Sequence, residues 1–352
     1  MDYRSLGRTG MQVSPLCLGA MMFGAWGEKD HDTSVKIIHT ALDAGVNFID
    51  TADVYSQGES EEIVGKAPKG RRDEVVLATK FHGQMGVPVD APMGTSGDPL
   101  QRGNSRRWIA REVENSLRRL QTDWIDLYQV HRPDPDTDLE ETLSALTDLQ
   151  RAGKIRAFGC STYPAHEIVE SHWVAERRGL GRFVTEQPPY SLLVRGIEAD
   201  LLPVAQHYGM GVLPWSPLAG GWLSGRYRKG GDAPGSHRAE RMPARYDLSD
   251  PANQAKLDAA ERLAQLAEEA GLSLIHLALA FTLAHPAVTA PIIGPRTAEH
   301  LESQLGAADV TLSPDVLDRI DEIVPPGTTL SAADQGYVAP AVRDPRLRRR
   351  QA

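Results

Sequence analysis

The sequence contains very little cysteine, and it has neither an excess of basic residues nor a long apolar run. Its 352 residues include two cysteines, Cys17 and Cys160, both in short apolar segments, which favours buried thiols over a disulfide framework. No apolar stretch reaches the roughly 18 residues that a transmembrane helix needs, and the N-terminus has no apolar signal core. These absences predict a cytoplasmic protein without a membrane partner.

The charge balance argues against nucleic acid as a partner. The formal net charge is -9, from 38 basic and 47 acidic residues, whereas binding to nucleic acid requires a basic face. The dense basic run from Arg346 to Arg350 lies near the C-terminus, where a solvated tail is expected. The 11 histidines show no metal-ligand spacing, so no metal site is predicted.

Short apolar runs alternate with amphipathic helical stretches along most of the chain. The apolar runs predict strands at 16–19, 47–50, 75–80, 125–131, 155–161, 183–187, 211–215 and 289–293. A glycine-containing hairpin at 3–14 precedes them, and extra helices follow the seventh and eighth strands. Eight strand–helix units close into a (β/α)8 TIM barrel, so we predict an α/β fold with one domain over 1–352 and a tail from about 326.

The main alternative is an open, doubly wound sheet. Such a fold usually carries a glycine-rich phosphate loop after its first strand when it binds a dinucleotide. Neither GxGxxG nor GxxxxGK[ST] occurs in the sequence, and the segment from Gly58 to Lys66 has the wrong spacing. The closed barrel is therefore favoured.

Polar residues stand where the second, third and fourth predicted strands end: Asp50, Lys80 and His131, with Tyr55 in the loop after Asp50. Loops at these strand ends form the active site of such a barrel. Reduction of a carbonyl needs a proton donor at its oxygen. A tyrosine could serve if a lysine within about 4–6 Å lowered its pKa from about 10. Asp50 would hold Lys80, and His131 would orient the carbonyl.

The same region resembles the signature of the aldo-keto reductase family. The matching residues are Gly45 to Ala52, Tyr55, Gly58 to Glu61, Gly65, Ala78 to Lys80, Gln129 to His131, Gly159 to Ser161, Gln187, Trp215 to Leu218 and Ile293 to Thr297. The resemblance extends from the hairpin to the helix that ends near Ile323. It implies an NADPH-dependent carbonyl reductase that binds its cofactor in extended form, without a Rossmann motif.

The resemblance also implies cofactor contacts. Ser161 and Gln187 would bind the nicotinamide carboxamide, and Trp215 would stack on the nicotinamide ring. The other implied cofactor-binding residues are Thr162, Ser216, Pro217, Leu218, Ile293, Gly294, Pro295, Arg296, His300 and Gln304. Arg296 is the expected partner of a 2′-phosphate, because a guanidinium makes strong bonds to phosphate. The sequence departs from many members at Thr162, where asparagine is usual, and at 300, 303 and 304.

Further contacts are predicted from the loops. The segment from Ser216 to Asp250 contains several glycines, among them Gly231, and two arginines, Arg226 and Arg228. It is interpreted as a mobile flap over the cofactor that contacts the pyrophosphate, and the alternative is an uninvolved surface loop. The predicted substrate contacts are Met21, Met22, Trp26, Phe81, Trp108 and Trp222.

Three other functions are alternatives to a reductase of aldehydes or ketones. A nucleotide-sensing subunit on the same fold would keep the four polar residues and turn over little. A metal-dependent barrel enzyme would need clustered ligands at several strand ends, which are not seen. A dehydrogenase that oxidises alcohols would use the same site. The physiological substrate and the oligomeric state stay open, with a homo-oligomer as one expectation.

Overall fold

A computed structural model describes residues 1–92, 94–230, 239–240 and 242–350. An N-terminal hairpin of β1 (Arg4–Ser5) and β2 (Gln12–Val13) is antiparallel. The eight strands that follow are β3 (Cys17–Gly19), β4 (Phe48–Asp50), β5 (Val76–Phe81), β6 (Ile125–Val130), β7 (Ile155–Ser161), β8 (Thr185–Gln187), β9 (Gly211–Val212) and β10 (Ile292–Ile293). They pair in parallel, in the order β10-β3-β4-β5-β6-β7-β8-β9.

Backbone hydrogen bonds join the two ends of this sheet. The N–H of Ile292 donates to the oxygen of Pro214 (2.8 Å), and the N–H of Thr289 donates to the oxygen of Val212 (2.9 Å). The sheet therefore curls back on itself, and the predicted (β/α)8 fold with an N-terminal hairpin is confirmed. β9 and β10 are shorter than predicted, because Pro214 and Pro291 have no N–H to donate to a strand ladder.

Helices cover the outside of the barrel. They are α1 (His31–Asp43), α2 (Glu59–Lys66), α3 (Arg106–Leu120), α4 (Leu139–Arg151), α5 (Ala165–Arg178), α6 (Leu201–Tyr208), α7 (Pro251–Glu269), α8 (Leu274–Ala284), α9 (Ala298–Leu305), α10 (Pro314–Ile323) and α11 (Pro340–Arg343). Several begin at a side-chain cap: the hydroxyl of Ser105 accepts from the N–H of Trp108, and the carboxylate of Asp138 accepts from the N–H of Glu140.

The core has two parts. A small cluster that includes Phe48, Leu127 and Leu213 fills the inside of the barrel. A much larger cluster lies between the strands and the helices. This arrangement fixes the strand ends, which is where the candidate site lies.

The C-terminal segment, predicted as a tail from about 326, packs back onto the barrel over its first part. The N–H of Leu330 donates to the oxygen of Leu193 (3.2 Å). Asp334 accepts from Lys256 Nζ (2.9 Å). Gly336 lies close to Thr162: a Cβ atom at Gly336 would be 2.8 Å from the Thr162 methyl group. The basic run from Arg346 to Arg350 is exposed, as expected, while residues 351–352 lie outside the described part.

The described helices differ from membrane spans in length and composition. No single helix is long and apolar enough to cross a bilayer. α7 and α8 meet the criteria only when they are taken together, and they are bent by 94° at the break between them.

We predict that the Asp334→Ala variant is less stable by about 3 kcal/mol. The Lys256 side chain is 1% exposed, so removal of its carboxylate partner leaves a buried charge unpaired. Urea unfolding would measure the loss. The double variant Lys256→Met, Asp334→Ala should lose less, because no charge stays buried. Asp344→Ala, which breaks an exposed ion pair, is the control and should change stability by less than about 0.5 kcal/mol. An equally small loss for Asp334→Ala would contradict the interpretation.

Candidate active site

The site is built around a fully buried lysine at the end of β5. The three hydrogen bonds of Lys80 Nζ go to Asp50 Oδ1 (2.5 Å), the backbone oxygen of Thr51 (2.7 Å) and Tyr55 Oη (3.2 Å). Burial disfavours the charge of Lys80, but the nearby Asp50 and Tyr55 outweigh it and raise its pKa. Lys80 is therefore held as an ammonium, and two of its three hydrogen bonds go to the predicted site residues Asp50 and Tyr55.

A buried amide pair holds the carboxylate of Asp50. Asp50 Oδ2 accepts from Gln187 Nε2 (2.9 Å) and from Gln129 Nε2 (3.2 Å). Asp50 ends β4, Gln129 lies in β6 and Gln187 ends β8, so strands from much of the barrel converge on one carboxylate. The orientation of Asp50, and through it Lys80, is fixed by the barrel and not by a loop.

Tyr55 and His131 complete the predicted group. The Tyr55 ring lies edge-on to the His131 ring, with centroids 5.6 Å apart. Both residues are partly exposed at the barrel mouth. Desolvation, followed by the positive charges of Lys80 and Arg132, lowers the pKa of His131 well below its usual range. The imidazole is thus neutral near pH 7, and it can donate one N–H or accept at the other nitrogen.

The residues assigned to the nicotinamide end also meet in space. Ser161 ends β7 beside Gln187, and its hydroxyl donates to the Gln187 backbone oxygen (2.8 Å). Thr162 has a left-handed backbone (φ 61°), and its hydroxyl accepts from Arg132. Gln187 donates to Asp50, which leaves its Oε1 without a donor among the described residues. Trp215 follows β9 and is partly exposed.

The next three assigned residues form a tight turn. The N–H of Ala219 donates to the oxygen of Ser216 (2.8 Å), and Ser216 has a left-handed backbone (φ 55°). Pro217 is buried, while Leu218 is partly exposed. The turn leads from Trp215 towards Arg226.

The residues assigned to the adenosine end lie around the start of α9. Ile293, Pro295 and Gln304 are buried, Gly294 and His300 are exposed, and Arg296 is partly exposed. Desolvation and the charges of Arg296 and Arg226 lower the pKa of His300. Arg226 and Arg296 therefore both lie near His300, and no ion pair of either is found within the described part of the chain. A Cβ at Gly294 would meet nothing within 4 Å, so the backbone there is open to a ligand.

The predicted flap is tied down where it is described. Arg228 pairs with Glu261 of α7 through two bonds of 2.9 Å, so this part of the segment is bound to the helix layer. Among the described residues, the hydrogen-bond acceptor of Arg226 is the hydroxyl of Ser224 (3.3 Å). Residues 231–238 and 241 of this segment, including Gly231, lie outside the described residues.

Three of the six predicted substrate contacts are wrong. Phe81, Trp108 and Trp222 are each 1% exposed or less. Phe81 and Trp108 pack in the core under the helices, and Trp222 stacks on Tyr246 with an interplanar angle of 4°. Met21, Met22 and Trp26 are partly exposed instead. The Trp26 ring lies 6.2 Å from the Tyr55 ring, which places it at the mouth of the site.

The sequence reasoning missed Gln129, Arg132 and Glu186. Gln129 lies two residues before His131 and Arg132 follows it, so their closeness to a predicted strand end could have indicated that they belong to the site. Glu186 is buried in β8; its oxygens accept from Cys160 Sγ (2.9 Å) and from the N–H of Tyr163 (3.2 Å). Glu186 therefore holds the backbone turn that carries Ser161 and Thr162.

We predict that the Glu186→Gln substitution changes how stability depends on pH. Burial raises the pKa of Glu186 to about 7, against about 4.3 for a free glutamate. The folded wild type binds this proton more tightly than the unfolded chain, so its stability falls as the pH rises towards and through 7. Glutamine has no such proton. The free energy of unfolding of the wild type, relative to the variant, should therefore drop by about 2 kcal/mol between about pH 5 and pH 8.

Urea unfolding at the two pH values measures this difference. The exposed Glu62→Gln is the matched control, and its difference from the wild type should change little with pH. A pH-independent difference for Glu186→Gln would show that Glu186 does not titrate near neutrality.

The sequence is also similar to those of known proteins. Residues 15–325 fit the model of the aldo/keto reductase family. The chain is 41% identical to an uncharacterized oxidoreductase, YrpG, of Bacillus subtilis (strain 168), over 92% of this chain and 96% of that protein. It is 36% identical to a probable voltage-gated potassium channel subunit beta of Oryza sativa subsp. japonica, over 92% and 97%. It is also 34% identical to a versiconal hemiacetal acetate reductase of Aspergillus parasiticus, over 92% and 96%. The fold, the strand-end site and these matches agree: the chain belongs to the aldo/keto reductase family.

Proposed function

We propose that this protein reduces aldehydes or ketones to alcohols with NADPH, and that Tyr55 donates the proton. The observation that carries the proposal is the position of Lys80, whose buried ammonium contacts both Asp50 Oδ1 and Tyr55 Oη. A tyrosine hydroxyl at a barrel mouth, bonded to a fixed cation, is suited to general acid catalysis. Bound NADPH would supply the hydride.

The proton step follows from the charges around Tyr55. When Tyr55 gives its proton to the carbonyl oxygen, a phenolate remains, and the Lys80 ammonium 3.2 Å away stabilises it. Asp50 keeps Lys80 charged and in place. The neutral His131 ring beside Tyr55 can donate an N–H to the same carbonyl oxygen and so orient the substrate.

The residues present fit a nicotinamide cofactor. The free Oε1 of Gln187 and the hydroxyl of Ser161 would hold the carboxamide, and Trp215 offers a partly exposed ring for stacking. Because Gln187 Nε2 donates to Asp50, the Oε1 atom of the same amide can accept from a donor such as a carboxamide NH₂. The open backbone at Gly294 and the nearby Arg226 and Arg296 would receive the adenosine end.

The preference for NADPH over NADH rests on the cations at this end. Arg226 and Arg296 carry positive charge without an acidic partner among the described residues, and both charges help to lower the pKa of His300. A 2′-phosphate is the group that distinguishes NADPH, and guanidinium groups bind phosphate strongly.

A second candidate function is a nucleotide-sensing subunit with little turnover. It is favoured by the likeness to a protein named as a probable potassium channel beta subunit. Such a subunit would bind the same nucleotide at the same residues. For either function we propose a cytoplasmic protein, with a small carbonyl compound as its ligand, no nucleic-acid or membrane partner, and a homo-oligomer as one arrangement.

We predict that Tyr55→Phe lowers kcat for a small aldehyde by at least about 100-fold, because the proton donor is removed. The Kd for NADPH, measured by quenching of protein fluorescence, should change less than about threefold, since the hydroxyl does not hold the nucleotide. Tyr3→Phe, which removes a surface hydroxyl bonded to Gly45, is the control. Retained turnover in Tyr55→Phe would exclude Tyr55 as the donor.

We predict that Arg296→Ala weakens NADPH about tenfold to a hundredfold, because it removes a charge-assisted bond to the 2′-phosphate. The affinity for NADH should change much less, since NADH lacks this phosphate. Fluorescence titration with both nucleotides measures the two effects. Arg178→Ala, which breaks an ion pair with Glu140 on the surface, is the control. Equal losses for NADPH and NADH would rule out the 2′-phosphate contact.

A further inference from the structure

Arg132 lies at the nicotinamide end of the candidate site, although the sequence analysis did not assign it. It follows His131 at the end of β6. Its guanidinium donates to Thr162 Oγ1 and lies 5.9 Å from the centroid of the Trp215 ring. Its charge lowers the pKa of His131 and interacts with Tyr55. Arg132 therefore faces the reacting end of the pocket.

Within the described residues, the guanidinium of Arg132 has no counter-ion. No acidic side chain of the described residues lies within ion-pair distance of it, whereas the other cations nearby are paired: Lys80 with Asp50, and Arg245 with Asp334 at 3.6 Å. Glu186 is the acid whose charge acts on Arg132. Its oxygens are already engaged by Cys160 and Tyr163, and its pKa of about 7 leaves it partly protonated at neutral pH.

The environment of Arg132 favours an anionic ligand. Desolvation lowers the pKa of Arg132, yet a guanidinium stays charged in proteins. It has five N–H donors, of which one contacts Thr162 and the others have no acceptor in the part of the chain described here. The side chain is partly exposed, so these donors can reach a ligand at the mouth of the site, where an anion would pair with a cation that has no acidic partner among the described residues.

The phosphates of the cofactor are not the expected occupants. The cations assigned to them, Arg226 and Arg296, act on His300 at the start of α9. Arg132 acts on His131 and Tyr55 instead. Arg132 therefore lies with the proposed catalytic residues, whereas Arg226 and Arg296 lie near a histidine of α9.

We infer that Arg132 binds a carboxylate on the carbonyl substrate, so that this protein prefers aldehydes or ketones that carry a carboxylate group. The planar fork of a single guanidinium matches a carboxylate in charge and in geometry. This inference rests on the proposed reductase function, because it names the substrate class of the same site. Arg132 is a specificity residue and takes no part in the proton transfer.

The test compares each carboxylic acid with its own methyl ester. The substrates are 2-, 3- and 4-carboxybenzaldehyde and the three corresponding methyl formylbenzoates, which vary the distance between the carboxylate and the aldehyde. In the wild type, kcat/KM for at least one acid should exceed that for its ester by about tenfold or more. Arg132→Met should lower this acid-to-ester ratio about tenfold to a hundredfold. Arg132→Lys should restore part of it, since lysine keeps the charge without the fork.

The matched control is Arg245→Met, because Arg245 acts on Arg132 electrostatically but is paired with Asp334. It should leave the ratio unchanged within about twofold. A wild type that reduces the esters and shows no preference for any acid would overturn the inference, while the reductase function would stand. Equal losses on acids and esters in Arg132→Met would also overturn it, because they would show that Arg132 only orders Thr162 at the nicotinamide end.

A binding measurement keeps the inference testable if no substrate is turned over, a result that would count against the reductase function alone. The protein loaded with NADP+ is titrated calorimetrically with benzoate and with benzamide, an uncharged ligand of similar shape. The wild type should bind benzoate at least about ten times more tightly than benzamide, and Arg132→Met should lose this difference. Equal affinities in the wild type would overturn the inference.

Discussion

The buried ammonium of Lys80 is the constraint on which the site depends. A charge without solvent exposure must have all its donors satisfied, and Lys80 achieves this with Asp50, the Thr51 oxygen and Tyr55. Asp50 in turn takes the amides of Gln129 and Gln187. Because Lys80 and these partners come from four strands and one loop, the barrel cannot close without assembling the polar group that the proposed chemistry needs.

Charge is distributed around this centre in two separate regions. Arg226 and Arg296 lie at the start of α9, where the adenosine end of a nucleotide is proposed to bind. Arg132 lies beside His131 and Trp215 at the other end. Because different cations are proposed for the two ligands, a nucleotide and an anionic substrate would not compete for the same guanidinium groups.

Position at a strand end explains what the sequence could predict. Asp50, Lys80 and Ser161 each end a predicted strand. Because parallel strands end on one side of a barrel, the sequence alone predicts that these three residues lie in one site. The prediction of Phe81 as a substrate contact is wrong. Neighbouring side chains of a strand point to opposite faces, so Phe81 points away from Lys80 and packs in the outer core. The burial of Trp108 and Trp222 depends on helix and loop packing that no short-range sequence pattern encodes. The ion pair between Arg228 and Glu261 joins residues that are 33 positions apart in the chain.

The most direct test of the central claim is a fluorescence titration of the protein with NADPH, followed by addition of a small aldehyde while the nicotinamide absorbance is recorded. If the site built on Lys80 reduces carbonyls, NADPH will quench the fluorescence and its absorbance will then fall with repeated turnover. Quenching without turnover would contradict the reductase and favour the nucleotide-sensing subunit. No quenching at all would contradict the assignment of the cofactor, and with it the function proposed for this site.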